Sequence, residues 1–404
     1  MIMTPGPVEV DPRILRAMSV HVLGQFDPEF TELMNETMTL LRQVFQTANQ
    51  QAFPVDGTSR AGLEAVLCSL IEPGDRVLIP IFGRFGHLLT EIAVRCRAEV
   101  RNIETQWGSV IQPEQIEEAL KKESFKVVAI VHGETSTCMI QPLDEIGRIC
   151  EKYGALLVVD AVATLGGVEV KVDEWGIDAC ISGMQKCLSA PSGMAPLTYN
   201  DKVGKILEKR KRIEAGLSDG LQNEYSSAVI QSNYLDLAQL QDYWSPRRLN
   251  HHTEATVMLY ALREALRCVL KEGLKERFER HRVNGEAMTA GIEAMGLEIF
   301  GDIRYRMPMV IPVLIPEGID GKKVKARLLD DFSIEIASSF GPLHGKIWRI
   351  GAMGHSSQKR NVLFCIAALE AVLRSEGFNA PAGQGIDAAL DVYGRNRAKL
   401  KAGD

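Results

Sequence analysis

Residues 156–193 constrain the fold of this chain more than any other stretch, because they hold two short apolar runs that end in polar or turn residues. Residues 156–159 are Leu-Leu-Val-Val before Asp160, and residues 177–182 form a second β-prone run before Gly183. Short apolar runs closed in this way are typical of strands buried in a sheet. In open α/β sheets, ligands bind at the carboxyl ends of the strands. The stretch therefore predicts an α/β fold with a site after these two strands.

Asp160 and Lys186 are the candidates for chemistry at these strand ends. An acid beside a lysine suits pyridoxal phosphate, which a lysine holds covalently while a carboxylate pairs with its ring nitrogen. Lys186 stands in GMQKCLSAPSG, residues 183–193, where small residues and glycine let a cofactor approach the backbone. The alternative is an acidic strand cap and a surface lysine, but a surface lysine usually has charged neighbours. The neighbours of Lys186 favour the cofactor.

The same segments resemble the class V aminotransferases of fold type I. The match is VDAVATLGG at residues 159–167 and SGMQKCLSAPSG at residues 182–193, and it extends from TPGP at residues 4–7 to RIGAMG at residues 349–354. This resemblance implies a large domain with a mostly parallel central sheet between helices, and a smaller α+β domain. It also implies that Asp160 and Lys186 are the catalytic pair.

Length and composition agree with two globular domains. The chain has 404 residues, 46% of them hydrophobic and 24% charged, which is too long for one compact core. We place an N-terminal arm and the cofactor-binding domain in residues 1–272, and the small domain and tail in residues 273–404. Helical and strand patterns predict helices over residues 27–45 and 201–214 and a strand over residues 127–131.

Charge and cysteine usage restrict the partners and the compartment. The net charge of -6, with no basic stripe, argues against a nucleic-acid partner. No run approaches eighteen apolar residues, and MIMTPGP at the start has no signal-peptide pattern, so no membrane association is expected. Eight cysteines without a CxxC pair predict free thiols in a reducing compartment. We expect a cytoplasmic protein.

The segment DGTSRAG, residues 56–62, is the predicted phosphate site. It precedes a helix expected over residues 61–71, and free N–H groups and hydroxyls at a helix start bind anions. An ordinary Ser/Thr helix cap is the alternative. Class V relatives place their cofactor phosphate on this loop, so the resemblance implies Thr58 and Ser59 as ligands. Arg60 replaces the histidine of some relatives and is a further charge on the phosphate.

Further cofactor contacts follow from the resemblance. Phe85 stands between two glycines at the start of a predicted helix, where relatives stack an aromatic ring on the pyridine. The strand over residues 127–131 ends in HGETSTC, whose Thr135 and Ser136 can donate to the phenolic oxygen of the cofactor. Cys138 stands where the relatives usually have glycine, so the conformation of the local turn is not predicted, whereas the assigned chemistry is unaffected. The resemblance adds Val162 and Gln185 to the cofactor site.

A homodimer is implied by two segments of the relatives. Residues 1–12 hold three prolines and predict an extended arm, which in the relatives crosses onto the partner subunit while residues 5–7 border the substrate pocket. The segment RRLNHHTEAT, residues 247–256, matches a YHHT-like motif that reaches across the dimer. Its Thr253 is expected to bind the phosphate of the neighbouring subunit.

The adjacent histidines in this segment, His251 and His252, do not predict a metal site. Their spacing is wrong for a helical ligand pair, and the sequence places no cysteine or carboxylate cluster nearby. We therefore expect no metal.

Three residues are assigned to the substrate. Arg349, in WRIG at a strand end, can grip an α-carboxylate with two hydrogen bonds. Asn250 stands where the relatives have tyrosine, and this amide suggests recognition of an amide or ureido group. Gln25, in the loop at residues 21–26, is expected to act from the other side of the pocket, although a polar loop residue is the plainer interpretation.

The predicted substrate rests on the resemblance of the whole sequence, especially of residues 21–30, 250–256 and 339–346. It resembles the ureidoglycine–glyoxylate aminotransferases, which pass the amino group of (S)-ureidoglycine to glyoxylate in a ping-pong reaction and give oxalurate and glycine. The sequence has no second arginine or lysine motif for a distal carboxylate, which is consistent with the small pocket that glyoxylate needs. An alanine- or serine-glyoxylate aminotransferase with the same residues is the alternative. A cysteine desulfurase needs a mobile-loop cysteine, whereas Cys365 falls in an apolar helix. A non-enzymatic sensor of the cofactor would normally carry a DNA-binding module, and this sequence leaves no room for one.

Overall fold

The computed structural model describes residues 1–214, 216–217 and 229–402, with side chains as far as residue 397. The α-helices in this part of the chain are α1 Pro12–Met18, α2 Pro28–Val44, α3 Ser59–Leu70, α4 Arg84–Arg95, α5 Pro113–Lys122, α6 Asp144–Tyr153, α7 Asp201–Arg210, α8 Leu237–Trp244, α9 Thr256–Glu272, α10 Leu274–Ala294, α11 Gly321–Phe332, α12 Lys359–Ser375 and α13 Gln384–Ala402. Among the helices described, none combines the length and the apolar character that crossing a bilayer demands.

The strands in the same part of the chain are β1 Gln51–Asp56, β2 Arg76–Ile81, β3 Glu99–Glu104, β4 Val127–Val131, β5 Gly133–Glu134, β6 Met139–Ile140, β7 Leu156–Asp160, β8 Ala179–Ile181, β9 Met194–Tyr199, β10 Val310–Leu314, β11 Ala337–Ser338 and β12 Ile347–Gly351. The predicted strand at residues 127–131 and the predicted pair around Asp160 and residue 182 are therefore present. The helix predicted over residues 201–214 ends earlier, because Lys211 is extended and its amine binds Asp242 at 2.8 Å.

Seven strands form one sheet in the order β1-β9-β8-β7-β4-β2-β3. Strand β9 is antiparallel to both neighbours and every other pairing is parallel, so the remaining six strands run in one direction. Strands β4 and β7 are buried along their whole length, which explains their continuous apolar sequences. Helices α3 and α4 pack against this sheet. The predicted α/β class with a mostly parallel central sheet is confirmed.

The C-terminal part of the chain forms a second hydrophobic cluster. Its antiparallel sheet, β10-β12-β11, contributes Trp348, and α12 contributes Ile366; both side chains are fully buried. Helix α9 is followed by Gly273, whose φ of 91° lies in the left-handed region that glycine tolerates. Met3 of the N-terminal arm also packs into this second cluster. The domain division at residues 1–272 and 273–404 remains an interpretation.

The N-terminal arm lies on its own chain, so the expectation that it crosses to a partner subunit is wrong. The Met3 N–H donates to the carbonyl oxygen of Glu335 at 2.9 Å, and Val8 N–H donates to the carbonyl oxygen of Gln185 at 3.2 Å. The carbonyl oxygen of Met3 accepts from Gly351 N–H at 2.8 Å. These bonds use backbone groups of the arm that would otherwise be free to pair with another chain.

Candidate active site

A cavity of about 240 Å³ lies at the carboxyl edge of the large sheet, beside the N-terminal arm. Nine of the ten residues predicted to bind the cofactor line it: Thr58, Ser59, Arg60, Phe85, Thr135, Asp160, Val162, Gln185 and Lys186. They come from separate elements of the large sheet and its helices, because the carboxyl ends of parallel strands meet at one edge. Gly6 and Pro7 of the arm complete one wall.

Lys186 lies in the loop after β8 and points at the arm. Its amine donates a hydrogen bond to the carbonyl oxygen of Pro5 at 2.5 Å. Burial, together with the positive charge of Arg349, lowers the pKa of Lys186 to about 8. A depressed lysine pKa keeps a useful fraction of the amine neutral near physiological pH, which nucleophilic attack and proton abstraction both require.

Asp160 ends β7 and is the second titratable group of the cavity. Its Oδ1 atom accepts a hydrogen bond from the N–H of Val162 at 2.9 Å. Burial raises the pKa of Asp160 to about 7, since this bond and the nearby Lys186 only partly offset the loss of solvent. A cationic ring nitrogen is the partner that would favour the ionised form of this carboxylate.

Glu134 is a buried acid that the sequence analysis did not assign. Its carboxylate accepts hydrogen bonds from the N–H of Phe85 at 2.7 Å, and from the N–H and hydroxyl of Ser136 at 3.0 and 2.6 Å. Burial raises the pKa of Glu134. The acid fixes the start of α4, where Phe85 stands, to the turn after β4. Its signal in the sequence is an acid in the HGETSTC segment that follows a buried strand.

The turn after β4 contains Cys138, which has a φ of 60°. This left-handed conformation is the one that glycine adopts without strain, which agrees with glycine being usual at this position in the relatives. The substitution therefore leaves the turn in place.

The start of α3 has the features of an anion site. Thr58 is the N-cap residue but its side chain does not cap the helix, so its hydroxyl is available. The hydroxyl of the next residue, Ser59, accepts a hydrogen bond from Nε2 of Gln185 at 3.0 Å. Free N–H groups of a first helical turn, together with these hydroxyls, suit a phosphate. The sequence also allowed an ordinary Ser/Thr helix cap here, but the side chain of Thr58 makes no capping hydrogen bond.

Arg349 is buried on β12 and lies close to the cavity without lining it. Its guanidinium donates through Nε and Nη2 to the carbonyl oxygen of Ser338, and through Nη1 to that of Thr135. A guanidinium has five N–H donors, and these three bonds leave one on each terminal nitrogen. These two donors remain available to bind a carboxylate.

Arg84 is a second cation that the sequence analysis missed. The ring of Phe340 lies beside both arginines, with its centroid 4.4 Å from Cζ of Arg84 and 4.8 Å from Cζ of Arg349. The two arginines are far apart in the sequence, and only the tertiary fold brings both to the ring of Phe340. A local sequence motif could not have indicated this pair.

Three predicted residues are not brought to the cavity within one chain. Gln25, Asn250 and Thr253 do not line it. The Oε1 atom of Gln25 is buried without a hydrogen-bond partner among the residues that the structure describes. Asn250 and Thr253 are exposed. Their assigned roles stay predictions that need a second subunit.

The expectation that no carboxylates gather near the adjacent histidines is wrong. The Nε2 atom of His252 lies 3.3 Å from Oδ2 of Asp56 and 3.7 Å from Oε2 of Glu254. Asp56 is far from His252 in sequence, so the spacing of the motif could not reveal this group.

The cavity fits pyridoxal phosphate. An uncapped helix start with two hydroxyls is present for the phosphate, and an aromatic ring at Phe85 for the pyridine. Asp160 is a buried carboxylate for the ring nitrogen, and Lys186 is a buried amine for the covalent attachment. These groups border one cavity, which is the arrangement that the cofactor requires.

Comparisons with known proteins agree with this site. The profile of the Aminotransferase class-V family matches residues 15–346. The chain is 62% identical to the (S)-ureidoglycine–glyoxylate transaminase of Bacillus subtilis (strain 168), over 97% of this chain and 95% of that protein. The crystal structure of a ureidoglycine–glyoxylate aminotransferase from Bacillus subtilis matches with a TM-score of 0.92 and 61% identity, covering 97% of each chain. An alanine–glyoxylate aminotransferase from Nostoc sp. matches with a TM-score of 0.86 and 40% identity, covering 92% of this chain and 95% of that one.

Proposed function

Because this chain belongs to the class V aminotransferases and uses pyridoxal 5′-phosphate, we propose that it transfers the amino group of (S)-ureidoglycine to glyoxylate, giving oxalurate and glycine. The observation that carries the proposal is the 62% identity, over 97% of the chain, to a transaminase of that name. The amide at Asn250, within the segment the sequence singled out, supports the same donor.

The chemistry divides between the cofactor and the residues of the cavity. Pyridoxal phosphate, when bound, supplies an electron-accepting ring that makes the α-carbon of an amino acid acidic. With the cofactor bound, Lys186 would be the base that moves a proton between the α-carbon of the substrate and C4′ of the cofactor, a role that its lowered pKa of about 8 suits. Asp160 would hold the proton on the ring nitrogen of the bound cofactor. The bound cofactor would carry the amino group between two half-reactions, and the first product would leave before the acceptor binds, which gives ping-pong kinetics.

The remaining assignments concern binding. Arg349 holds the α-carboxylate of either substrate through its two free N–H groups. Thr58, Ser59, Arg60 and Gln185 hold the phosphate, while Phe85, Thr135 and Val162 hold the ring. Gln25 and Asn250 bind the ureido end of the amino donor, because two carboxamides supply both the donors and the acceptors that a ureido group needs.

We propose a homodimer in which Thr253 and Asn250 complete the site of the neighbouring subunit. Their exposure on one chain, outside the cavity they are assigned to, supports this arrangement. We also propose a cytoplasmic enzyme of purine catabolism. Eight free cysteines are consistent with a reducing compartment.

An alanine- or serine-glyoxylate aminotransferase is the second candidate, since the Nostoc enzyme shares 40% of its sequence with this chain. A cysteine desulfurase is disfavoured because Cys365 is fully buried in α12. Burial raises the pKa of its thiol to about 12, so little nucleophilic thiolate forms at neutral pH.

An amino-donor screen tests the function directly. With glyoxylate as acceptor, kcat/KM is measured for (S)-ureidoglycine, alanine and serine, and the oxalurate and glycine formed are quantified. The proposal predicts the highest value for (S)-ureidoglycine. A higher kcat/KM for alanine or serine would establish the second candidate instead.

A further inference from the structure

A buried cluster of two acids and a histidine lies outside the active-site cavity. Asp56 ends β1, and His252 and Glu254 lie in the segment that leads into α9. The Nε2 atom of His252 is 3.3 Å from Oδ2 of Asp56 and 3.7 Å from Oε2 of Glu254. One ligand atom from each residue can be chosen so that all lie within 4.8 Å of one another. The three side chains therefore face one point.

Most polar atoms of this cluster lack a hydrogen-bond partner among the residues that the structure describes. The side chain of Glu254 is 1% exposed, and neither of its carboxylate oxygens accepts a hydrogen bond from a described residue. The same holds for Oδ1 of Asp56, Nε2 of His252 and the hydroxyl of Tyr243. Buried carboxylates that accept so few hydrogen bonds are costly, so a positively charged group at this point would stabilise the fold.

The hydrogen bonds behind His252 orient its ring for ligation. The Nε2 atom of His251 lies 3.3 Å from the carbonyl oxygen of Asn233, and the Nδ1 atoms of the two histidines are 2.9 Å apart. With both imidazoles neutral, the carbonyl fixes the proton of His251 on Nε2. His252 then donates from Nδ1 and turns the lone pair of its Nε2 towards the two acids. A metal-binding histidine commonly has its other nitrogen held in this way.

The distances select a class of cation. Tetrahedral ligands at about 2.0 to 2.2 Å from a zinc ion are roughly 3.3 to 3.6 Å from one another. Of the two separations from Nε2 of His252, 3.3 Å falls within this range and 3.7 Å lies just above it. Calcium and magnesium prefer sets made only of oxygen atoms, whereas imidazole with carboxylates suits zinc and its neighbours among the transition metals.

We propose that Asp56, His252 and Glu254 bind a divalent transition-metal ion of the zinc type. The site joins the end of β1 to the segment at residues 250–254. Asp56 is the first residue of the predicted phosphate segment at residues 56–62, and Thr253 lies between the two other ligands in the sequence. The ion therefore fixes two segments that border cofactor and dimer contacts, and its role is structural because the site is separate from the cavity with Lys186.

Metal uptake by the intact holoenzyme tests the proposal. The enzyme is dialysed against a chelator with pyridoxal phosphate present, returned to metal-free buffer and then titrated with Zn²⁺. Bound zinc is measured by elemental mass spectrometry after gel filtration, and Tm is followed in parallel. We expect about one zinc ion per chain and a higher Tm with zinc than without it.

Two variants separate this site from other zinc-binding groups. Glu254→Gln keeps the size of the side chain but removes a charged ligand, and His252→Ala removes the imidazole; each should weaken zinc binding by at least about tenfold. Glu99→Gln is the control, since Glu99 is an exposed acid paired with Arg76 at 3.5 Å, and it should bind zinc like the wild type.

Two results would overturn the proposal. One is zinc binding by Glu254→Gln with unchanged affinity and stoichiometry, which places the ion elsewhere. The other is a wild-type enzyme that takes up no zinc while Glu254→Gln raises Tm in metal-free buffer. In that case the two carboxylates share a proton and need no metal.

Discussion

The side-chain amine of Lys186 donates a hydrogen bond to the carbonyl oxygen of Pro5 at 2.5 Å. The N-terminal arm of the same chain thus lies directly against the proposed catalytic base. The next residue, Gly6, has a φ of 106°, and a Cβ atom added to it would lie 2.5 Å from Nζ of Lys186. No side chain fits there without moving the lysine or the arm.

Gly6→Ala should therefore lower kcat strongly while the protein remains folded. A displacement of about 1 Å at a reacting group can cost about a hundredfold in rate. Steady-state kinetics with glyoxylate and the preferred amino donor measure the loss, and circular dichroism checks the fold. Gly204→Ala is the matched control, because nothing lies within 4 Å of a Cβ atom at that position in α7. Equal kcat values for Gly6→Ala and Gly204→Ala would show that the arm has no role in positioning Lys186.

Lys186 should carry the cofactor. Reduction of the purified enzyme with borohydride, followed by peptide mapping, is expected to place the pyridoxyl group on Lys186, and Lys186→Ala should lose turnover. The reason is that Lys186 is a buried amine of lowered pKa in the cavity. A pyridoxyl group found on another lysine would contradict the assignment.

Asp160 should make the stability of the cofactor-free enzyme depend on pH. Its pKa rises from 3.8 to about 7 on folding, so the folded state binds more protons than the unfolded state between these values. The free energy of unfolding therefore falls as pH rises through this window. Asp160→Asn removes the effect, so its stability relative to the wild type should increase from pH 4 to pH 7, by at most about 1.4 kcal/mol per pH unit. Urea unfolding at several pH values measures the difference, and a constant difference would show that Asp160 has an ordinary pKa.

Asn250 should select the amino donor. Asn250→Tyr restores the residue of the alanine–glyoxylate relatives, and losing a hydrogen bond to the ureido group should cost on the order of 1 to 3 kcal/mol. We expect kcat/KM for (S)-ureidoglycine to fall roughly ten- to a hundredfold, while activity with alanine is retained or raised. Alanine is the internal control, and equal losses with both donors would make Asn250 a structural residue.

Mixing two variants tests whether each site contains residues of both subunits. A subunit with Lys186→Ala and one with Asn250→Tyr form a hybrid with one intact site, if Asn250 acts across the dimer. Random mixing should then restore about a quarter of the wild-type activity with (S)-ureidoglycine. If Asn250 serves its own subunit, the hybrid has no intact site and activity does not rise above the mean of the parents.

The sequence by itself determined where the main polar groups of the cavity lie on the chain. A strand buried on both faces must be continuously apolar, so the residue after the run marks a carboxyl end of the sheet; this located Asp160 and Lys186. The loop before α3 could also be predicted from the sequence. The first N–H groups of a helix have no partner within the helix, so nearby residues must cap them or they stay free to bind an anion. These features depend on neighbours in the chain, and a periodic pattern records them.

The tertiary structure decided which distant groups meet. Arg84 and Arg349 share the ring of Phe340, and Asp56 faces Glu254, although no local pattern links the members of either pair. The course of the arm was likewise predicted wrongly, since its backbone can pair with any free edge and only the packed chain supplies one. Contacts of this kind arise from the docking of separate elements, and the spacing of residues along one chain holds no record of them.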